Sequence, residues 1–226
     1  MNLEQLNRQV IACRRCPRLV QWREAMAVKK RKAYMDWEYW GKPVPGFGDP
    51  RARVMAIGLA PGAHGSNRTG RQFTGDASGS FLYPALHRAG FSNQAYSDAR
   101  DDNLKLRRLY LTAAARCAPP ANRPSPVELA NCQPYLEREI ELIQPRVIVC
   151  LGRIAFERVL RIFSLHGAEF KFAHGASYEL RIPSTAACTW ILCSYHPSQQ
   201  NTLTGRLTAS MFDAIWAKAR QLSADA

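Results

Sequence analysis

Four short apolar runs, set far apart in the chain, constrain its fold more than any other feature. They occupy residues 53–58, 109–114, 146–151 and 189–195, and each is close to continuously apolar rather than alternating. A strand of that kind has both faces covered, which is the mark of a parallel sheet between helical layers. Helical periodicity fills the intervals at 2–12, from Pro17 onward, at 80–89, 125–143, 153–163 and 208–222. Ser125, Pro126 and Glu128 form a capping box with proline at the first helical position. The expected fold class is therefore α/β, a three-layer α/β/α sandwich with a central, mainly parallel four-stranded sheet. The length of 226 residues predicts a single domain spanning 1–226, with an N-terminal helical segment over 1–50. Hydrophobic residues at 46% and charged residues at 22% exclude wholesale disorder. The longest apolar runs fall far short of the roughly 18 residues of a membrane span, and the first residues carry no apolar leader. A soluble, cytoplasmic protein with no membrane partner is expected.

Charge supplies the first indication of a partner. Lysine and arginine number 31 against 18 aspartate and glutamate, a formal net charge of +13. A surface of that sign gains affinity for a polyanion by counterion release. The run Lys29, Lys30, Arg31 and Lys32 precedes Tyr34, Trp37, Tyr39 and Trp40, a mixture able to contact phosphates and bases. For each single aromatic, packing against the core is the more ordinary role.

Seven cysteines in a chain expected to stay in a reducing compartment point to metal or catalytic use rather than disulfides. Cys13 and Cys16 have the two-residue gap that lets two thiolates share a metal centre. Cys117 and Cys132 lie in or beside loop and helix-start segments, which makes four candidate ligands. Cys150, Cys188 and Cys193 sit in or just before strand-like runs and read as core residues.

In an open α/β sheet, ligands bind beyond the carboxyl ends of the strands. The first run leads into a glycine-rich loop from Gly58, Leu59 and Ala60 through His64 to Phe73 and Asp76. The second leads to Asn122, the third to Gly152 and Arg153, and the fourth to His196. No phosphate-binding glycine loop and no serine nucleophile elbow occurs at these positions. Only Asp76 is available as a carboxylate, too few for two-metal phosphoryl transfer. One carboxylate, one histidine, an amide and an aromatic in a basic protein suit cleavage of an N-glycosidic bond. The carboxylate supports the cationic sugar, the histidine or amide the departing base, and the aromatic stacks on an extruded nucleobase.

The strings themselves go further. Gly58-Leu59-Ala60-Pro61, Asn67-Arg68-Thr69-Gly70-Arg71, Phe73-Thr74-Gly75-Asp76, Cys117-Ala118-Pro119-Pro120-Ala121-Asn122 and His196-Pro197-Ser198 closely resemble the type b, or family 5, uracil-DNA glycosylases. The resemblance extends from Cys13 into the last helix. It implies that Asp76 positions or activates the attacking water, that Phe73 stacks on the flipped base, and that Asn122 places an amide in the pocket. His196 would stabilise the leaving base, and Gly58, Leu59, Ala60 and His64 would form the pocket wall. Arg68, Arg71, Ser198, Gln199, Gln200, Asn201, Leu203 and Arg206 are expected to contact DNA, with Gln199, Gln200 and Leu203 as candidate wedges. The resemblance further implies a [4Fe–4S] cluster on Cys13, Cys16, Cys117 and Cys132. The residues alone do not separate it from a tetrahedral zinc site.

The implied activity is initiation of base excision repair, leaving an abasic site. The implied substrate is double-stranded DNA containing uracil, hypoxanthine or ethenocytosine, bound by a monomer. Two departures stand out: Gln72 where relatives often carry proline, and Gly62 where a larger small residue is common, which predicts a roomier pocket wall. Two alternatives remain open at this point. One is a stricter uracil-only cluster-bearing glycosylase; the other is a damage-binding module without catalysis.

Overall fold

Strict side-chain alternation along each strand decides the layering, because neighbouring residues of a strand face opposite sides of the sheet. The structure is a computed structural model and describes residues 1–181 and 188–224. Four parallel strands form its centre: β2 (Val54–Gly58), β3 (Leu109–Ala113), β4 (Val147–Leu151) and β6 (Cys188–Ser194), in the order β3-β2-β4-β6. Val54 pairs with Leu109 on one side and Val147 on the other, and Val147 pairs with Trp190.

On one face, Val54, Ala56, Leu111, Val149 and Leu192 pack beneath α4 (Ala77–Arg88) and α8 (Ala209–Ser223), which contribute Leu82, Leu86, Phe212 and Trp216. On the other face, Met55, Ile57, Ile148 and Ile191 pack beneath α5 (Pro126–Ile143) and α6 (Arg153–Ile162), which contribute Leu136, Ile140, Phe156 and Val159. The expected α/β/α sandwich is thus present. Burial of both strand faces explains why the four runs are so uniformly apolar.

The sheet has six strands rather than four. Short β1 (Phe47–Gly48) pairs antiparallel with β3, and β5 (Ser177–Arg181) pairs antiparallel with β6. Both lie on edges, where half the residues need not be apolar, so neither stands out as an apolar run. The expected helix at 80–89 begins three residues earlier, at Ala77, because Asp76 caps it. The capping box at Ser125 and Glu128 forms as expected.

Two further helices, α1 (Leu3–Ile11) and α2 (Pro17–Lys29), precede the sheet. Leu6 and Val10 of α1 pack on Tyr135 of α5, which fastens the N-terminal segment to the outside of the sandwich. Among the described residues, no helix is long and apolar enough to cross a membrane.

Candidate active site and cysteine cavity

A cleft of about 950 Å³ opens at the carboxyl ends of the parallel strands. The loop after β2 brings Leu59, Ala60, His64, Phe73 and Asp76 to it, and the loop after β3 brings Asn122. Gly152 and Arg153 follow β4, and His196, Ser198, Gln199, Gln200, Asn201 and Arg206 follow β6. Twelve chain positions separate Asp76 from His64 and more than a hundred separate it from His196. Only the shared direction of the strands places them together.

Asp76 is the N-cap of α4. Its Oδ1 accepts hydrogen bonds from the N–H groups of Ser78 and Gly79, both at 3.1 Å. The second oxygen, Oδ2, lies over two glycines. A Cβ at Gly65 would stand 2.1 Å from it and one at Gly62 2.9 Å. The space left by Gly62 is therefore next to the carboxylate itself. Burial pushes the Asp76 carboxyl above its ordinary value, against the opposing pull of the Gly79 and Ser78 N–H groups and the Arg68 charge.

Phe73 holds a left-handed backbone, φ 52°, which a bulky residue adopts only when its surroundings enforce it. The enforcement comes from close packing against two glycines. A Cβ at Gly58 would lie 2.5 Å from the Phe73 ring, and one at Gly79 2.0 Å from its carbonyl oxygen. Gly58 itself, expected in the pocket wall, is buried behind the ring and does not line the cleft. The ring of His196 lies 6.2 Å from that of Phe73, tilted by 32°. Burial holds the His196 imidazole down to about 4, so it is neutral at physiological pH. Asn122 and its neighbour Ala121 also have positive φ, 55° and 51°, which turns the Asn122 side chain outward from a tight loop. His64 Nδ1 is 3.1 Å from the Tyr39 hydroxyl, and burial, with Arg31 and Arg68 nearby, lowers its pKa.

The segment after His196 forms the short helix α7 (Gln199–Leu203). Asn201 Nδ2 donates to the His196 carbonyl at 2.8 Å, and the Arg206 guanidinium stands 4.6 Å above the Tyr195 ring. Gln199 and Gln200 are exposed, and Leu203 is 81% exposed just outside the cleft.

Two expected DNA contacts are corrected by the structure. Arg68 and Arg71 are only 3% and 4% exposed. Arg71 bonds Asp102 at 2.6 Å, Ser97 at 2.8 Å and Thr74 at 2.9 Å. Arg68 donates to the carbonyls of His64 and Gly75. Both guanidiniums brace the loop from within, where a phosphate cannot reach them. Gln72 is also internal, donating to the Val44 carbonyl at 3.2 Å. Conversely, Arg31 and Tyr34 line the cleft, as do Phe172 and Tyr195 from distant segments. The basic and aromatic run at 29–40 was a signal for the first two. Trp40 took the ordinary packing role, its indole N–H donating to the Pro43 carbonyl at 3.0 Å.

A second, small cavity is lined by Cys13, Cys16, Cys117 and Cys132, with Arg116, Asn131 and Tyr135 among its walls. Cys13 follows α1, Cys16 caps α2, Cys117 follows β3 and Cys132 lies within α5. Cys150 and Cys193 are fully buried in their strands as expected. Cys188 is a correction: it starts β6 at the sheet's end, half-buried, with its thiol 2.8 Å from Glu179 Oε1. Among the described residues, no three His, Cys, Asp or Glu side chains group closely enough to hold a single metal ion.

Side-chain donors reach two of the four sulfurs, as they would around thiolates. The buried Arg23 guanidinium reaches Cys117 Sγ at 3.1 Å, and Asn131 Nδ2 reaches Cys16 Sγ at 3.4 Å. Arg23 Nε and Arg116 Nε are buried with no hydrogen-bond partner. Burial pushes the Cys117 thiol up to about 12, against the opposing pull of the Arg23 charge. Below the cavity, Arg116 forms a fully buried pair with Glu139 at 2.5 Å.

Comparison with known proteins agrees with this layout. The profile of the uracil DNA glycosylase superfamily matches residues 45–220. A type-5 uracil-DNA glycosylase of Thermus thermophilus is 52% identical over 224 residues, 99% of each chain. One from Mycobacterium tuberculosis is 49% identical over 222 residues, covering 97% of this chain and 81% of the relative. A type-4 uracil-DNA glycosylase of Archaeoglobus fulgidus is more distant, 30% identical over 198 residues, with coverages of 87% and 82%. The chain belongs to the uracil-DNA glycosylase superfamily and, within it, to the type-5 enzymes.

Proposed function

We propose that the protein flips uracil out of duplex DNA and hydrolyses its N-glycosidic bond, leaving an abasic site and initiating base excision repair. The observation that carries this reading is the division of labour at Asp76. One carboxylate oxygen is held by the amino end of α4, and the other lies over Gly62 and Gly65 in a cleft that Phe73 and His196 also line. The free oxygen orients the attacking water and stabilises positive charge on the sugar. The neutral His196 imidazole donates an N–H to the base as negative charge develops there, and Asn122 adds its amide. Phe73 offers the cleft-facing part of its ring to the extruded base.

Ser198, Gln199, Gln200, Asn201 and Arg206, which line the cleft after β6, follow the DNA backbone in this reading, and exposed Leu203 fills the gap left in the stack. Arg31 and the basic run beside it extend that surface. The volume of the cleft supports acceptance of hypoxanthine and ethenocytosine in addition to uracil. Cys13, Cys16, Cys117 and Cys132 hold a [4Fe–4S] cluster that ties α1, α2 and α5 to the sheet; bound there, it supplies a structural cross-link. The whole of 1–226 acts as one catalytic domain, monomeric on DNA and cytoplasmic, with the cluster-binding segment at 1–50.

Excision from duplexes carrying uracil, hypoxanthine or ethenocytosine tests the reading, with Asp76→Asn run beside the natural protein. Asparagine is as good an N-cap as aspartate, so the helix is kept while the charge is lost. The expected loss is about 10²–10⁴-fold in single-turnover rate with DNA affinity retained. Undiminished excision by the variant would sink the role of Asp76. Action on uracil alone would narrow the substrate, and no excision by the natural protein would leave a damage-binding module.

A further inference from the structure

Arg68 is placed as no surface cation would be. It lies in the short helix α3 (Ser66–Thr69), inside the loop between β2 and α4, and is only 3% exposed. Its Nε donates to the His64 carbonyl at 2.8 Å and its Nη2 to the Gly75 carbonyl at 3.0 Å. Those two carbonyls belong to opposite ends of the loop: His64 is in the cleft wall and Gly75 immediately precedes Asp76. The guanidinium carbon stands 3.9 Å from the ring centroids of both Tyr34 and Trp37, so two aromatic rings from the N-terminal segment hold the cation. Nη1 is buried with no hydrogen-bond partner. Gly75 is needed for this approach, because a Cβ there would lie 2.3 Å from Nη2.

We infer that Arg68 is a positioning residue for Asp76. Its planar fork ties the loop ends together and brings a fixed positive charge to the carboxylate, and Tyr34 and Trp37 clasp it in place. An arginine suits both tasks, since its donors are rigidly spaced and its flat face stacks on aromatic rings. The rings also exclude water from the guanidinium, which lets its charge act with less screening.

The groups facing Asp76 from each packed element are few. From α4 come the Ser78 and Gly79 N–H groups, and from the loop Gly62 and Gly65, which have no side chains. Arg68 is the charged group that acts on it, in the direction that favours ionisation. His64 is the titratable neighbour on the cleft wall, itself influenced by Arg68 and Arg31. His196 lies across the Phe73 ring.

The inference rests on the catalytic reading of Asp76, and the experiment separates the two. Single-turnover excision of uracil is followed against pH for the natural protein, Arg68→Lys, Arg68→Met and the double variant Tyr34→Ala/Trp37→Ala, with melting temperatures in parallel. Loss of the charge in Arg68→Met moves the acidic limb to higher pH, as removal of a neighbouring opposite charge requires. Arg68→Lys keeps the charge and loses the fork, so the rate falls while the limb stays. The double variant removes the clasp but keeps the two hydrogen bonds from Arg68 to the loop carbonyls, and it moves the limb upward by less. The shift persists in a His64→Gln background, where His64 no longer titrates.

An acidic limb unmoved in Arg68→Met overturns the inference, whatever happens to the rate. If Arg68→Met does not fold, an unmoved limb in the double variant overturns it. Should Asp76→Asn excise normally, the catalytic reading falls instead. An inactive Asp76→Asn beside an unmoved limb removes the role of Arg68 alone.

Discussion

The cleft at the strand ends and the cysteine cavity are joined by a single loop, with Cys117 at one end and Asn122 at the other, yet they are built in opposite ways. The cleft is wide, about 950 Å³, and its functional groups are held one at a time. Asp76 is held by a helix cap, Phe73 by two glycines and Asn122 by a left-handed turn. The cavity is closed, and its groups hold one another: Arg23 reaches Cys117, Asn131 reaches Cys16, and Arg116 grips Glu139 beneath. An open site keeps unsatisfied groups for a substrate, whereas a closed one uses its polar groups to fasten separate segments. Changes in the cleft should therefore cost activity, and changes in the cavity should cost the fold.

The largest expected effect is at the cavity. On the proposed cluster reading, Cys132→Ala removes one of four ligands, at the position inside α5. We expect loss of the broad brown absorbance, a melting temperature lower by on the order of 10 °C, and loss of excision as a consequence. An unchanged melting temperature would break the contrast between the two regions. Stoichiometric zinc with no iron would keep the contrast but change the metal.

His196→Asn should do the reverse. Excision falls on the order of 10²-fold, as on removal of a single donor to a developing anion. Stability responds with a definite sign. In the unfolded chain the imidazole takes up a proton near its ordinary 6.5, but in the folded protein only near about 4. Its contribution is fully present above 6.5 and is lost as pH falls toward 4. The variant lacks this penalty, so its acid unfolding midpoint lies at lower pH than that of the natural protein. A midpoint that does not move would show that His196 is not held neutral by burial.

Gly58→Ala gives the smallest effect and sharpens the boundary, because this residue is part of the core and supports the cleft. The added methyl meets the Phe73 ring, and overpacking of this kind costs about 1–3 kcal/mol. Denaturant unfolding measures the loss, and a rise in KM larger than the fall in kcat reports displacement of the ring. Unaltered stability would mean that Phe73 yields freely and that its left-handed backbone is not enforced by packing.

The sequence by itself determined the layers and the location of the site. Runs such as 147–151 are apolar throughout because both faces of β4 are covered, and that demand is written residue by residue. Strand order then sends Asp76, Asn122 and His196 to one edge, so their convergence followed from the expected fold, and the cysteine spacing marked the second site. Edge strands β1 and β5 were not legible, since an edge is satisfied by backbone pairing and places little demand on side chains.

Only the tertiary structure decided which arginines meet solvent. Arg68 and Arg71 look like any other cations in a chain of net charge +13. Their burial depends on the carbonyls, on Asp102 and on the rings of Tyr34 and Trp37, brought from elsewhere in the chain. A buried cation is stable only where such partners converge, and that convergence is a property of the folded chain rather than of any local pattern. The same reason separates Gly58, which supports Phe73 from behind, from Gly62 and Gly65, which leave room for the free oxygen of Asp76.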